Sequence, residues 1–259
     1  MMNGIKSILS YILINNIFIA LCAVGLAYNS SYLLHKTPHP IGFYGFIFCS
    51  TLFAYNLYYL QNSNHPHARY FSILGLVGGL LLYLLEKDSI PSYDLAVIAF
   101  FSSLYILPGF IGFKSNRWYL IFKLLLLVLV WTNTSILLPS PHIELNPTFL
   151  LIYSNRFLLI WNLSMLFFIK DEVHKFKKGI LEKSLIITLL FQIINSVMVF
   201  NLYQTTIGLL FLFISFVVVS ACYYFTKNKK SQLNYLFFVD GIMILETIFV
   251  LLLSLSFQE

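Results

Sequence analysis

The sequence predicts an all-helical membrane protein with nine transmembrane helices, a cytoplasmic N-terminus and a C-terminus on the opposite side. The composition is the first reason, because 59% of the 259 residues are hydrophobic and only 10% are charged, whereas soluble domains carry about 25% charged residues. The second reason is that apolar runs long enough to cross about 30 Å of hydrocarbon recur along the whole chain. The third is the placement of the basic residues between those runs.

The predicted spans contain roughly 17 to 24 residues each, and turn-forming or charged residues separate them. The first run is too long for the core of a signal peptide and lacks a small-residue cleavage site, so we expect it to remain as a helix. No soluble domain is left over, and residues 1–259 are predicted to form a single polytopic domain. The nine spans are 8–28, 40–62, 70–86, 92–114, 117–138, 148–171, 182–200, 204–225 and 234–256.

The orientation follows from the lysines and arginines between the spans. The N-terminus and the loops after helices 2, 4, 6 and 8 contain most of them, whereas the opposite side contains only Lys36 and Lys87. Because basic loops stay in the cytoplasm, this asymmetry predicts a cytoplasmic N-terminus. We interpret the net charge of +6 as a topology signal and expect no nucleic-acid partner. The cytoplasmic set is Lys6, Arg69, Lys114, Arg117, Lys170, Lys175, Lys177, Lys178, Lys183, Lys227, Lys229 and Lys230.

Two basic residues, Lys123 and Arg156, fall inside predicted spans, where charge is costly and often functional. Lys123 lies roughly 9 Å from the cytoplasmic end of helix 5, close enough for its ammonium group to reach the interface. Arg156 lies roughly 12 Å from the outer end of helix 6, and Glu246 lies at nearly the same depth in helix 9. We therefore predict a structural ion pair between Arg156 and Glu246.

Four polar residues from four helices lie within about 10 Å of the predicted cytoplasmic boundary, namely Asn56, Lys123, Asp171 and Asp240. Polar groups at membrane depth normally face a cavity or one another. One interpretation is a shared ligand cavity that opens to the cytoplasm. The alternative is that each side chain makes a local hydrogen bond between helices.

The segment 170–179 after helix 6 is the most charged stretch of the chain. Its lysines are typical of a topology signal or of a contact with anionic lipids. The other interpretation is that they attract a phosphorylated ligand to the mouth of the cavity.

Short motifs at helices 2 and 6 and the lysine in helix 5, together with the predicted topology, resemble the UbiA superfamily of intramembrane prenyltransferases. In the first motif Asn56 matches the leading Asn of the family, but Leu57, Leu60 and Asn64 stand where three aspartates are expected. In the second motif Lys170, Asp171 and Gly179 match, whereas Phe168 and Lys175 replace two aspartates.

The resemblance implies a helical bundle around a central cavity that binds a polyprenyl diphosphate through Mg²⁺. Magnesium bridges carboxylate and phosphate oxygens and neutralises the leaving group. By this resemblance Asp171 and Glu172 are the candidate metal ligands, and Asp171 and Lys123 are the candidate catalytic residues. Substrate-binding roles fall to Asn56, Asn64, Lys170 and Asp240.

The expected function is therefore transfer of a polyprenyl group to an acceptor in a bacterial inner membrane, with reduced or altered activity. A non-catalytic relative that binds an isoprenoid lipid, or that serves as a subunit of a membrane complex, is the first alternative. A transporter of a small lipid or ion is the second. A transporter predicts inverted repeats and paired breaks in its helices, and the sequence contains only Leu107-Pro108-Gly109 as a candidate interruption.

Overall fold

The structure is a computed structural model, and it describes residues 10–35, 39–60, 67–111, 117–140, 146–172, 178–203, 206–227 and 232–256. Every regular element in those ranges is helical. Nine long helices lie within the described residues: α1 (Ile17–His35), α2 (Ile41–Tyr58), α3 (Ala68–Leu85), α4 (Ser92–Ile111), α5 (Arg117–Thr132), α6 (Pro147–Glu172), α7 (Lys178–Tyr203), α8 (Thr206–Lys227) and α9 (Gln232–Ser256).

The helix bounds follow the predicted apolar runs to within a few residues at most ends. Six of the described segments are long and apolar enough to cross a membrane, and they lie in α1, α2, α3, α5 with the turn that follows it, α6 and α7. Two shorter apolar segments lie in α4 and α8. These helices are those of a multi-pass membrane protein. The number of nine spans and the orientation of the termini stay predictions.

The first predicted span is not one continuous helix. Residues 10–14 are helical, a turn follows at Asn15 and Asn16, and α1 begins at Ile17. Asn16 has a φ of 61°, a left-handed conformation that Asn adopts more readily than most residues. The run 8–28 therefore contains a break that its hydropathy does not show.

The fifth predicted span also departs from a regular helix. A π-helical turn, Asn133–Leu137, follows α5 directly, and the amide of Leu138 donates to the carbonyl of Asn133 at 3.0 Å. A π-turn widens the helix locally and often occurs at functional positions. Asn133, Ser135 and Ile136 of this turn are buried.

The chain forms two compact units. Unit 1 comprises Met1–Phe113 and Asn133–Pro141, and unit 2 comprises Lys114–Thr132 and His142–Glu259. Unit 1 therefore contains α1 to α4 and the π-turn, and unit 2 contains α5 to α9. A single domain over the whole chain stays a prediction.

In unit 1, α3 packs against α2 through a face of small residues. Ala68, Ser72, Gly75 and Gly79 are buried, whereas most of its large apolar residues other than the buried Phe71 are exposed. This arrangement is the reverse of a soluble amphipathic helix and suits a helix whose outer surface faces lipid. The exposed set on α3 is Tyr70, Ile73, Leu74, Leu76, Val77, Leu80, Leu81, Leu84 and Leu85.

In unit 2, α6 begins at a signal that the sequence contains. Pro147 is its first residue, and the side chain of Asn146 accepts a hydrogen bond from the amide of Phe149 at 2.8 Å. Asn is a preferred N-cap, and Pro suits the first helical position because its missing N–H has no partner there. From this start α6 packs against α5, α7, α8 and α9, so it is the central helix of the unit.

Candidate functional site

The most deeply buried charges in the described residues lie in unit 2. Arg156 of α6 and Glu246 of α9, which the sequence pairs by their depth, form an ion pair with 2.7 Å between Nη1 and Oε2. Their side chains are 2% and 4% exposed. In the same buried guanidinium, Nε and Nη2 have no hydrogen-bond partner. The pair is therefore neutral as a whole but leaves donors of the arginine unused.

A polar ladder joins α6 to α7 in the same unit. Its first rungs are Asn155 donating to Ser196 at 2.9 Å and Asn195 donating to Ser154 at 2.6 Å. These two hydrogen bonds join neighbouring residues on each helix, so they do not show whether α6 and α7 run parallel or antiparallel. The hydrogen bonds of Asn162 show it.

The second half of the ladder centres on Asn162. Its amide donates to Gln192 Oε1 at 2.7 Å, and the hydroxyl of Thr188 donates to its Oδ1. Residue 162 lies further along α6 than residue 155, and its partners on α7 come earlier than Ser196, so the two helices are antiparallel. Each rung gives two buried or half-buried polar side chains a partner, although Nε2 of Gln192 and Oδ1 of Asn195 have no hydrogen-bond partner.

Asn56, a predicted substrate contact, is fully buried in unit 1 at the break before α1. Its amide donates to the carbonyl oxygens of Asn15 at 3.2 Å and Leu52 at 2.9 Å, and its Oδ1 accepts from Asn16 at 3.3 Å. The side chain of Asn15 in turn donates to the carbonyl oxygen of Tyr11 at 2.8 Å. Asn56 thus satisfies backbone and side-chain groups that the helix break leaves open.

The other predicted site residues divide between described and undescribed parts of the chain. Lys123 is half-buried in α5, and Asp240 is 3% exposed in α9. Lys170, Asp171 and Glu172 are the last three residues of α6, but their side chains lie outside the described part. Asn64 also lies outside it.

The four polar residues predicted near the cytoplasmic boundary do not all belong to one unit. Asn56 belongs to unit 1, whereas Lys123, Asp171 and Asp240 belong to unit 2. Among the described residues, no group of three or more His, Cys, Asp or Glu side chains is arranged to hold a metal ion. The proposed magnesium ligands are not among the described side chains.

The asparagines of the helix break and the ladder residues of α7 were not predicted as part of any polar site. Asn15 and Asn16 lie in an apolar run, and in another run Thr188, Gln192 and Asn195 recur at intervals of three or four residues, with Ser196 four residues after Gln192. That spacing places the α7 residues on one face of a helix. A search for polar residues at helical spacing within apolar runs would therefore have found them.

Comparisons of the chain with protein-family models, with curated proteins and with solved structures return no match.

Proposed function

We propose that this chain is a UbiA-like membrane prenyltransferase with nine spans and a cytoplasmic N-terminus, located in a bacterial inner membrane. It transfers a polyprenyl group from a prenyl diphosphate to an acceptor, with reduced or altered activity. The observation that supports it most is the extent of α6, which stays helical through Glu172 and so ends in Lys170, Asp171 and Glu172.

The end of α6 favours a bound cation. The C-terminal end of a helix carries about half a negative charge, so two carboxylates in its last turn are unfavourable unless cations offset them. Mg²⁺ prefers carboxylate oxygens and keeps positions for phosphate oxygens. Asp171 and Glu172 would hold the ion, and the ion would supply charge neutralisation for the diphosphate leaving group.

Lys123 supports the same location. It belongs to α5, which packs against α6 in unit 2, and consecutive spans place the start of α5 on the same membrane face as the end of α6. Side chains on a helix tilt toward its N-terminus, and lysine extends its ammonium toward the interface. The ammonium of Lys123 and that of Lys170 would therefore clamp the diphosphate.

A second function, binding of an isoprenoid lipid without turnover, is favoured by the surroundings of Asn56. Its side chain is used within unit 1, at the break before α1. Leu57 of α2 and Leu60 in the turn that follows it cannot ligate magnesium. A site with carboxylates from α6 alone would hold a diphosphate less tightly and activate it less.

The break at Asn15 and Asn16 favours a transporter, because discontinuous helices often line ion sites. The other candidate interruption is not a break, since α4 stays helical through Pro108 to Ile111. One break without a counterpart in the described part of unit 2 supports a transporter less than the end of α6 supports a prenyl diphosphate site. The acceptor and any protein partner stay unidentified.

Thermal unfolding of the detergent-purified protein with farnesyl diphosphate tests the proposal. A ligand that binds only the folded state raises the melting temperature by mass action. We expect stabilisation that requires Mg²⁺ in the wild type and disappears in Asp171→Asn. Asp88→Asn is the matched control, because Asp88 is an exposed carboxylate in the α3–α4 connection.

Release of inorganic diphosphate then separates the two functions. Magnesium-dependent stabilisation with diphosphate release supports a working prenyltransferase, and stabilisation without release supports a lipid-binding relative. Stabilisation that is equal in the wild type and Asp171→Asn would place the diphosphate elsewhere. No stabilisation by farnesyl or longer prenyl diphosphates would rule out the prenyltransferase and favour a non-catalytic relative that binds a neutral lipid or a protein partner.

A further inference from the structure

Aromatic rings gather at the end of unit 1 where α2 ends and α3 begins. The ring of Tyr11, in the short helical segment before α1, lies 5.7 Å from the ring of His67 and 6.2 Å from that of Phe71 between centroids. The ring of Tyr70 lies 5.3 Å from that of Phe71. Tyr11 is 46% exposed and Tyr70 is 64% exposed. These two tyrosines therefore present ring surface to the surroundings of unit 1.

A second group of tyrosines lies at the same end of the unit. Tyr58 is the last residue of α2, and its ring lies 5.1 Å from that of Tyr59 and 5.6 Å from that of Tyr105 in α4. The end of α2 and the start of α3 share one level because the two helices are antiparallel. Tyrosine concentrates where hydrocarbon meets lipid headgroups, since its ring is apolar and its hydroxyl forms hydrogen bonds. This end of unit 1 is therefore typical of a bilayer boundary.

The charge at this end is positive, and no carboxylate of unit 1 offsets it. His67 and Arg69 are exposed, and the first 85 residues of the chain contain no Asp or Glu. The carboxylates of unit 1 are Glu86, Asp88 and Asp94. Glu86 comes 17 residues after Arg69, which corresponds to about 26 Å along α3. The guanidinium of Arg69 therefore has no anion of its own unit within reach.

The position of Arg69 indicates which anion it meets. Arg69 is the second residue of α3, so it lies at the level of the phosphates of a bilayer. A guanidinium binds phosphate through two parallel hydrogen bonds. The headgroup of an anionic phospholipid contains no cation to neutralise its phosphate. Each basic residue near the surface therefore favours an anionic lipid by about fivefold.

The adjoining surface suits a lipid better than a free phosphate ion. Ile73 and Leu74, about one turn further along α3 than Tyr70, are 56% and 48% exposed. An outward apolar surface thus continues from the exposed tyrosine toward the other end of the helix. Acyl chains can lie along this surface while the headgroup contacts Arg69. A free phosphate ion would gain nothing from it.

We propose that Tyr11, His67, Arg69 and Tyr70 form a binding surface for the headgroup of an anionic phospholipid in the leaflet on the predicted cytoplasmic side. Arg69 binds the phosphate, and the tyrosine rings flank the glycerol. The acyl chains lie along the exposed apolar residues of α3. The surface belongs to unit 1 and is independent of the proposed diphosphate site, whose carboxylates belong to unit 2.

Quenching of tryptophan fluorescence by brominated lipids tests the proposal at this surface. Tyr70→Trp places a reporter at an exposed position, and the signal of the three native tryptophans is subtracted with the wild type. The protein is placed in nanodiscs of equal parts phosphatidylglycerol and phosphatidylcholine, with bromine on the chains of one lipid at a time. We expect the reporter to bind phosphatidylglycerol about five times as strongly as phosphatidylcholine. This preference should fall in 1 M NaCl.

Further variants of Tyr70→Trp assign the preference to one side chain. Adding Arg69→Gln should bring the ratio of the two binding constants close to one. Lys87→Gln is the matched control, because Lys87 is an exposed basic residue at the other end of α3. It removes the same charge and should leave the ratio unchanged. Quenching by brominated phosphatidylcholine, which does not depend on the guanidinium, confirms that each variant is folded and inserted.

Four results would overturn the proposal. Equal quenching by the two lipids would show a bilayer boundary without selectivity for charge. Absence of quenching by either lipid would show that protein covers the surface. An equal loss of preference in Lys87→Gln and Arg69→Gln would assign it to net charge. Displacement of phosphatidylglycerol by inorganic phosphate at constant ionic strength would show a site for the free ion.

Discussion

Unit 1 and unit 2 each contain a closely packed antiparallel pair of helices, but different groups hold the two pairs together. Between α2 and α3, backbone meets backbone at Gly75, where an added Cβ would lie 2.6 Å from the backbone nitrogen of Phe53 and 2.7 Å from the carbonyl oxygen of Cys49. Between α6 and α7, side chains form the polar ladder. The hydrophobic effect does not drive helix association within lipid, so close packing and hydrogen bonds take its place.

The two helix pairs therefore tolerate different substitutions. A contact made by glycine has no room for a larger residue, whereas a contact made by hydrogen bonds loses energy when a partner is removed. Unit 2 also carries the ion pair of Arg156 and Glu246, for which both size and charge matter. Substitutions at the ion pair, at the glycines of α3 and in the ladder should separate these mechanisms, in order of decreasing effect.

The largest loss should come from removing one partner of the ion pair. We expect Glu246→Ala to lower the free energy of unfolding by about 3–5 kcal/mol, because it leaves the charge of Arg156 buried without compensation. Equilibrium unfolding in mixed detergent micelles measures this change. The double variant Arg156→Met, Glu246→Leu should recover most of the loss, since it buries no charge. A double variant as unstable as the single one would mean that shape and not charge sets the cost.

The next effect should be a graded series along α3. Gly75→Ala should cost about 1–3 kcal/mol, because the methyl group would overlap the backbone of α2. Gly78→Ala should cost less, since its nearest neighbour is the movable Sγ of Cys49 at 2.9 Å.

Gly79→Ala is the matched control for that series, because its Cβ would lie 3.5 Å from Ser50 Oγ, an ordinary contact. It should be neutral or slightly stabilising, as alanine is the better helix former. The same unfolding measurement ranks the three variants. Equal effects at all three positions would show that α2 and α3 are not held by the close approach at Gly75.

The smallest effect should be the coupling between two residues of the polar ladder. In a double-mutant cycle, Asn162→Ala and Gln192→Ala should show a coupling energy of about 0.6 kcal/mol and at most about 1.7 kcal/mol. Asn146→Ala combined with Asn162→Ala is the control, since the two residues are about 24 Å apart along α6 and should act additively. If the effects of Asn162→Ala and Gln192→Ala are also additive, the hydrogen bond between these residues does not stabilise the protein.

Much of the fold could be predicted because helix formation in a membrane depends on local properties. Runs of apolar residues predicted where the helices lie, and the pair Asn146-Pro147 is a local signal for the start of α6. The break at Asn15 and Asn16 could not be predicted in this way, because averaged hydropathy is insensitive to two asparagines in an apolar run. Its stabilising partner, Asn56, lies about 40 residues further along the chain.

In the candidate sites, too, some features could be predicted from the sequence and others could not. Depth along two helices was enough to pair Arg156 with Glu246, because a buried charge needs an opposite charge at its own level. The same argument placed Asn56 in a ligand-binding layer, whereas the structure shows its amide hydrogen-bonded to Asn15 and Leu52. Depth gives the level of a side chain but not its direction, so it cannot tell a ligand contact from a structural one.

Local properties of the chain were enough to predict that it is helical, apolar enough for the membrane and charged at the ends of its helices. These properties follow from the length of the apolar runs and from the solvation of charge, and both act on each segment separately. Three other features are visible only in the folded chain: Gly75 meets the backbone of α2, Asn162 donates to Gln192, and Nε and Nη2 of Arg156 have no acceptor. Each of these depends on which faces of two distant segments meet, and no local property of either segment specifies that.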